Sequence, residues 1–156
     1  MTTNDHEPLA DGRSERARKI RSSRRAQVLD EARAAFCDKG YHATSVNDII
    51  TRAGIARGTF YLYFENKRAI FEELLDGYLA RIWGAVSRVE IGPEAPSPVA
   101  QLRENVDRVL HVLAANRELN HILLSHAVGL DGDFDAKLSE FYGRLLELIE
   151  GALRLG

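Results

Sequence analysis

Apolar residues recur along most of the chain at spacings of three and four, the period of helices that bury one face. The first stripe, Val28, Leu29, Ala32, Ala35 and Phe36, predicts a helix from about Arg24 to Lys39 that Gly40 stops, with Tyr41 packed under the turn. A shorter stripe follows at Val46, Ile49, Ile50 and Ala53. Ser45 and Asp48 precede it as a capping box, and Gly54 suits the left-handed position that ends a helix. A third segment, Arg57 to Phe64, begins at once, so the chain must turn sharply on Gly54 and Ile55. That is the grammar of a helix-turn-helix.

The third segment breaks local rules. Gly58 costs a short helix roughly 1 kcal/mol relative to Ala. Thr59, Phe60, Tyr61, Tyr63 and Phe64 are middling or poor helix formers, and their alternation would also suit a strand. No partner strand or hairpin turn lies nearby, and helices are expected on both sides, so a helix is the better reading. Phe60 and Phe64 then share one face and Thr59 and Tyr63 another. Asn66 can cap the next helix, which puts Lys67 and Arg68 in a first turn where the helix dipole disfavours cations. An anion bound at that terminus would remove the conflict.

That next helix is long, from about Lys67 to Val89, with a broad stripe at Ile70, Phe71, Leu74, Leu75, Tyr78, Leu79, Ile82 and Val86. A proline-rich loop from Ile91 to Pro98 precedes a helix from Val99 to about Ala115, with Val99, Leu102, Val106, Val109, Leu110 and Leu113 expected inward. Arg117 to Val128 continues the pattern. Asp131-Gly132-Asp133 interrupts it, and Phe134 to Leu155 forms a last helix with Leu138, Phe141, Leu145, Leu148, Ile149 and Leu153 on its apolar side. The fold class is all-α: a three-helix N-terminal unit, a long linking helix and a C-terminal helical bundle.

Composition adds few constraints and one asymmetry. At 156 residues, 45% hydrophobic and 28% charged, the chain can build a real core. It has no apolar run long enough to span a bilayer and no secretory start, and its one cysteine, Cys37, allows no internal disulfide, so a cytoplasmic protein without a membrane partner is expected. Residues 1–68 carry 13 Lys/Arg against 9 Asp/Glu, whereas residues 69–156 carry 8 against 14. A basic front and an acidic back suit a protein that turns one end to a polyanion. Residues 1–23 are expected as a disordered arm, basic from Arg13 onward. The arm is either merely solvated or follows a phosphate backbone.

The run Gly54-Ile55-Ala56-Arg57-Gly58-Thr59-Phe60-Tyr61-Leu62-Tyr63-Phe64, with Asn66-Lys67 and Phe71 after it, resembles the DNA-binding domain of the tetracycline-repressor (TetR) family. The resemblance covers roughly Arg24 to Leu75. It implies a homodimeric transcriptional regulator, usually a repressor released from double-stranded operator DNA by a small-molecule effector. Carried over by position, it puts Ser45, Thr59, Tyr61, Tyr63 and Lys67 on phosphates and Asn47, Arg57 and Gly58 nearest base edges. The divisions expected are an arm at 1–23, the DNA-binding domain at 24–66 and a regulatory domain at 67–156.

In that family the second domain encloses an effector pocket, for which Tyr78, Trp83, His111, His126, Phe141 and Tyr142 are candidates by their apolar faces and polar tips. Each could equally be core. His121 and His126, five apart, do not share a helical face, and Asp131, Asp133 and Asp135 lack the glutamate that a calcium loop needs. No metal, cofactor or enzymatic activity is expected. The chain departs from the family in stopping at Gly156, where further helices that pair in the dimer are normal. A helical interaction module that keeps the fold without reading DNA is the alternative.

Overall fold

The computed structural model describes residues 9–126 and 132–154, with the backbone alone at 9–11 and 123–126; the segment expected to be irregular at 1–8 lies outside the described residues. The described residues form seven helices and no strand: α1 Leu9–Lys39, α2 Val46–Ala53, α3 Arg57–Tyr61, α4 Lys67–Ala85, α5 Pro98–Ala115, α6 Arg117–His126 and α7 Gly132–Arg154. The all-α expectation holds.

Helix boundaries follow from local chemistry. Gly40 (φ 80°) ends α1 and Gly54 (φ 60°) ends α2, both in the region that L side chains avoid. Ser45 caps α2: its hydroxyl accepts from the Asp48 amide at 3.1 Å, and the Asp48 carboxylate accepts from the Ser45 amide at 2.8 Å. Ser97 caps α5 and Pro98 occupies its first turn, where a missing N–H costs nothing.

Five expectations are corrected. The arm expected to be disordered through residue 23 is helical over 9–23, because Arg, Lys, Glu and Ala there are good helix formers and no proline intervenes; with no partner along most of its sides, it shows no apolar stripe. The third helix stops at Tyr61, and a tight turn returns Phe64 to the core beside Phe60, ring centroids 6.3 Å apart. α4 ends at Ala85, short of Val89, because the Asn105 side chain seizes the extended backbone that follows. Its carbonyl accepts from the Ser87 amide at 2.8 Å and its Nδ2 donates to the Ser87 carbonyl at 2.8 Å. On α5, Val109 and Leu113 pack inward, but Val99, Val106 and Leu110 are about half exposed, and Asn105 (3% exposed) takes the buried place between them. Leu153, likewise expected on the apolar side of α7, is exposed while its neighbour Ala152 is buried.

A single core crosses the expected boundary at residue 66. Val28, Ala32 and Phe36 of α1, Ile49 of α2 and Phe60 of α3 belong to the same buried cluster as Ile70, Phe71 and Leu75 of α4, Leu119 and Ile122 of α6, and Phe134 of α7. Phe71 sits at its centre, with ring centroids 6.0 Å from Phe36, 4.7 Å from Tyr41 and 5.4 Å from Phe134. Ion pairs reinforce the joins at the surface: Arg25 of α1 grips Glu73 of α4 through both guanidinium nitrogens, and Lys137 of α7 reaches Glu72 and Asp76 of α4 at 2.8 Å each. The three-helix unit is too small to be very stable alone, and it leans on α4, α6 and α7.

Phe71→Ala is expected to cost about 3–5 kcal/mol and to lower both halves in one cooperative denaturant transition, followed by circular dichroism and by Trp83 fluorescence. Two separated transitions would mean that the halves do not share a core.

Candidate nucleic-acid interface and effector cavity

The turn from α2 to α3 sets the geometry of the first site. The Ile55 amide donates back to Ile50 at 3.3 Å and the Gly54 amide to Thr51 at 3.2 Å, so α2 closes on its own carbonyls and releases the chain directly into α3. Phe60 is fully buried and anchors α3 from below. The opposite side then stands clear: Asn47, Arg57, Gly58 and Tyr61 are all exposed, and Ser45 is exposed at the start of α2. Arg57 Nη1 donates to Asn47 Oδ1 at 3.3 Å, and its guanidinium lies 5.9 Å from the centre of the Tyr61 ring. Thr59 and Tyr63 are half-buried, with Tyr63 facing the groove beside Ser14, Arg18 and Arg21 of α1.

Gly58 is the least expected member of this surface. It has no left-handed backbone to excuse it, and a Cβ added there would meet nothing within 4 Å. The protein's own packing therefore does not require glycine at this position.

Lys67 does something the sequence did not announce. Its ammonium donates to the carbonyls of Tyr41 at 2.8 Å, His42 at 3.1 Å and Thr44 at 2.8 Å, and lies 4.6 Å from the centre of the Tyr41 ring. An ammonium has three protons, and all three are engaged with the loop between α1 and α2. Burial pushes its pKa down. Arg68 is also paired within the protein, to Asp133 at 2.9 Å, and Asn66 caps α4 by accepting from the Ala69 amide at 2.9 Å. Both cations of the first turn of α4 thus have partners within the protein. The phosphate contact expected of Lys67 would require these bonds to break.

Asp48, in the capping box, is held well below the usual carboxylate range, first by Lys39 and then by Ser45. A lowered carboxyl pKa stabilises the fold above the unfolded value, and this contribution disappears as the pH falls through the acid range.

A second site lies between α4, α5, α6 and α7, a cavity of about 280 Å³. Of the candidates for an effector pocket, Tyr78, Phe141 and Tyr142 line it. Leu79, Ile82, Val109, Leu113, Leu138 and Leu145 supply aliphatic walls, and Asn120 contributes an amide. Trp83 instead lines a separate open groove, edge-on to Phe141 at 6.5 Å with the Arg144 guanidinium 4.3 Å from its ring centre. His111 is exposed and its Nδ1 meets the Asp107 carbonyl at 2.7 Å, so neither Trp83 nor His111 lines this cavity. The His126 side chain lies outside the described residues. Asn120 was missed because an amide at an α6 position carries no sequence signal distinguishing a cavity from a surface.

A family model for bacterial regulatory proteins of the tetR family matches residues 28–74. The transcriptional repressor KstR2 of Rhodococcus jostii (strain RHA1) is 39% identical over 64 residues, covering 41% of this chain and 31% of its own length. The transcriptional regulator TtgR of Pseudomonas putida is 31% identical over 102 residues, covering 64% and 48%. The chain therefore spans less than half the length of these two curated relatives. A TetR-family regulator of Syntrophomonas wolfei str. Goettingen superposes with a TM-score of 0.66 at 30% identity, over 85% of this chain and 67% of that one. A TetR-like regulator from Rhodococcus sp. RHA1 gives 0.71 at 28% identity, over 85% and 70%.

If Lys67 chiefly fixes the loop, Lys67→Met should lower stability by about 1–3 kcal/mol through the orphaned carbonyls and leave the salt dependence of DNA affinity unchanged. A salt slope smaller by about one unit, with stability intact, would instead make Lys67 a phosphate contact.

Proposed function

The chain belongs to the TetR family of bacterial regulatory proteins, and we propose that it is a sequence-specific DNA-binding transcriptional repressor, acting as a homodimer and released from its operator by a small-molecule effector. One observation carries the DNA reading: the exposed surface of Asn47, Arg57 and Tyr61 around Gly58, where the protein has left a side chain out without needing to. An exposed helical glycine costs stability; Gly77, Gly84 and Gly143 are equally exposed and unhindered, and what sets Gly58 apart is its place beside Arg57 and Tyr61, where an outside backbone or base can approach closely. Arg57, held by Asn47, is suited to a base edge, where a bidentate contact is worth about 1–3 kcal/mol of discrimination. Ser45, Thr59, Tyr61 and Tyr63 surround it with hydroxyls for phosphates.

The effector reading rests on the cavity, whose walls include Tyr78, Leu79 and Ile82 of α4. Lys67, which holds the loop ahead of α2, lies on the same helix eleven residues earlier, about 16 Å at 1.5 Å per residue. A ligand that shifts α4 moves both. In a dimer the two α3 helices must match major grooves about 34–36 Å apart, so a small displacement at each suffices, provided the ligand binds the displaced state better. The homodimer reading draws on Val106 and Leu110 of α5 and Tyr142 and Leu146 of α7, large apolar side chains left about half exposed on adjacent helices.

Selection from a random DNA pool should yield an enriched palindromic site. On that site Gly58→Ala is expected to stabilise the free protein by up to about 1 kcal/mol and to weaken DNA binding. Stability and affinity that rise together would remove Gly58 from the interface.

A further inference from the structure

The cavity between α4 and α7 carries two buried polar atoms that no protein group pairs: the Tyr78 hydroxyl and the Asn120 side-chain carbonyl. Tyr78 is only 5% exposed, and its phenol faces aliphatic walls. The Asn120 amide has a fixed orientation, since its Nδ2 donates to the Leu113 carbonyl at 2.7 Å, which leaves the oxygen as the orphan. Buried polar groups are nearly always paired, and an unpaired one is costly to stability. Two belonging to residues around one cavity mark where a partner from outside would be rewarded.

The remaining lining narrows the partner's chemistry. Among the described residues no Asp, Glu, Lys, Arg or His lines this cavity, so a carboxylate or ammonium brought against them would lose its hydration with no counter-charge from these walls. Burial raises the Tyr78 pKa, with Tyr142 adding to the shift, so the phenol stays protonated and able to donate. Asn120 Oδ1 can only accept. A hydroxyl has both functions required: its oxygen accepts from Tyr78 and its proton goes to Asn120. At about 280 Å³ the space lies near the small end of ligand pockets, which run from roughly 300 to 1,000 Å³.

Resting on the reading of this cavity as the effector site, we propose that its ligand is a compact, uncharged and mainly apolar molecule carrying a hydroxyl group, which Tyr78 and Asn120 select. Charged acids are excluded by the lining, and purely hydrocarbon molecules leave both polar atoms unpaired. A site built to pair a ligand hydroxyl rejects the analogue without it far more strongly than it rejects a change of one methylene.

Three probes of one shape test this by calorimetric titration of the full chain: 4-butylphenol, butylbenzene and 4-butylbenzoate. The phenol is expected to bind about tenfold or more tightly than butylbenzene, with the benzoate weakest. Tyr78→Phe should remove most of the phenol's advantage and leave butylbenzene affinity within about twofold. The same variant should melt no lower than wild type, since the hydroxyl it deletes has no partner. Equal binding of phenol and butylbenzene, a benzoate that binds tightest, or a Tyr78→Phe protein that keeps the preference would overturn the assignment. Leu113→Phe or Leu138→Phe, whichever melts cooperatively, reports whether the probes occupy the cavity. Binding that either variant removes, without a preference for the phenol, leaves the effector site standing and sinks only its polar selectivity. No binding of any probe to wild type, or binding that the filled cavity does not alter, refutes both.

Discussion

One ammonium fixes the loop between α1 and α2 to the start of α4. Three carbonyls between α1 and α2 converge on Lys67, the first residue of α4. Those carbonyls follow the end of α1, and without a cation they would crowd like dipoles at a partly buried turn. Thr44, itself buried, donates from its hydroxyl to Ala35 and Gly40 on the other side of the same turn. The loop is therefore fixed from both directions, and the angle at which α2 and α3 leave α1 depends on where α4 begins. Moving α4 without moving the reading surface would mean breaking charge-assisted hydrogen bonds, which are roughly twice as strong as neutral ones.

The shared core extends this coupling. Phe71 touches rings from α1, the following loop and α7, and Arg25 lies over Phe64 while gripping Glu73. A boundary drawn at residue 66 divides the chain by sequence resemblance but not by packing. Close-packed interiors do not deform continuously, so a displacement of α4 on the cavity side is transmitted as a repacking and not absorbed along the way. That is the mechanical basis of the proposal that a ligand in the cavity beside α4 acts on the surface of α2 and α3.

Much of this was legible beforehand, for reasons specific to each element. Ser45, Asp48 and Gly54 act within one turn of the backbone, so spacing alone reveals the cap and the stop. The stripes of α1 and α2 and the broad stripe of α4 keep a helical period and could be read from it. α5 could not, because its apolar positions outnumber what α4 and α7 cover, and the buried place went to Asn105 through a bond to Ser87 eighteen residues away. The carbonyl partners of Lys67 were not legible for the same reason. They lie 23 to 26 residues earlier, and local rules register a cation at the wrong end of a helix but not the loop that folds onto it. The basic run at 13–25 has a composition that permits helix and coil alike, so its helical state had no periodic signature. Trp83 and Tyr78 share α4, yet only Tyr78 reaches the cavity; which side of the helix faced a void was not encoded in residue type.

Two of the places where the chain accepts a local cost lie at the proposed sites. At Gly58 a helix carries a residue with no side chain and open space around it. At Tyr78 and Asn120 buried polar atoms stand without protein partners. Neither arises from tight packing or a strained turn: the backbone at Gly58 is ordinary, and the cavity walls are mostly aliphatic. Local consistency is what folding alone would select, and departures from it concentrate where a protein meets something else. Here the departures fall at opposite ends of one mechanical path, the first beside Arg57 on the reading surface and the second along α4 beyond Lys67. On the proposed function, an unsatisfied interaction at each end is what lets a DNA contact and a ligand contact oppose one another through α4.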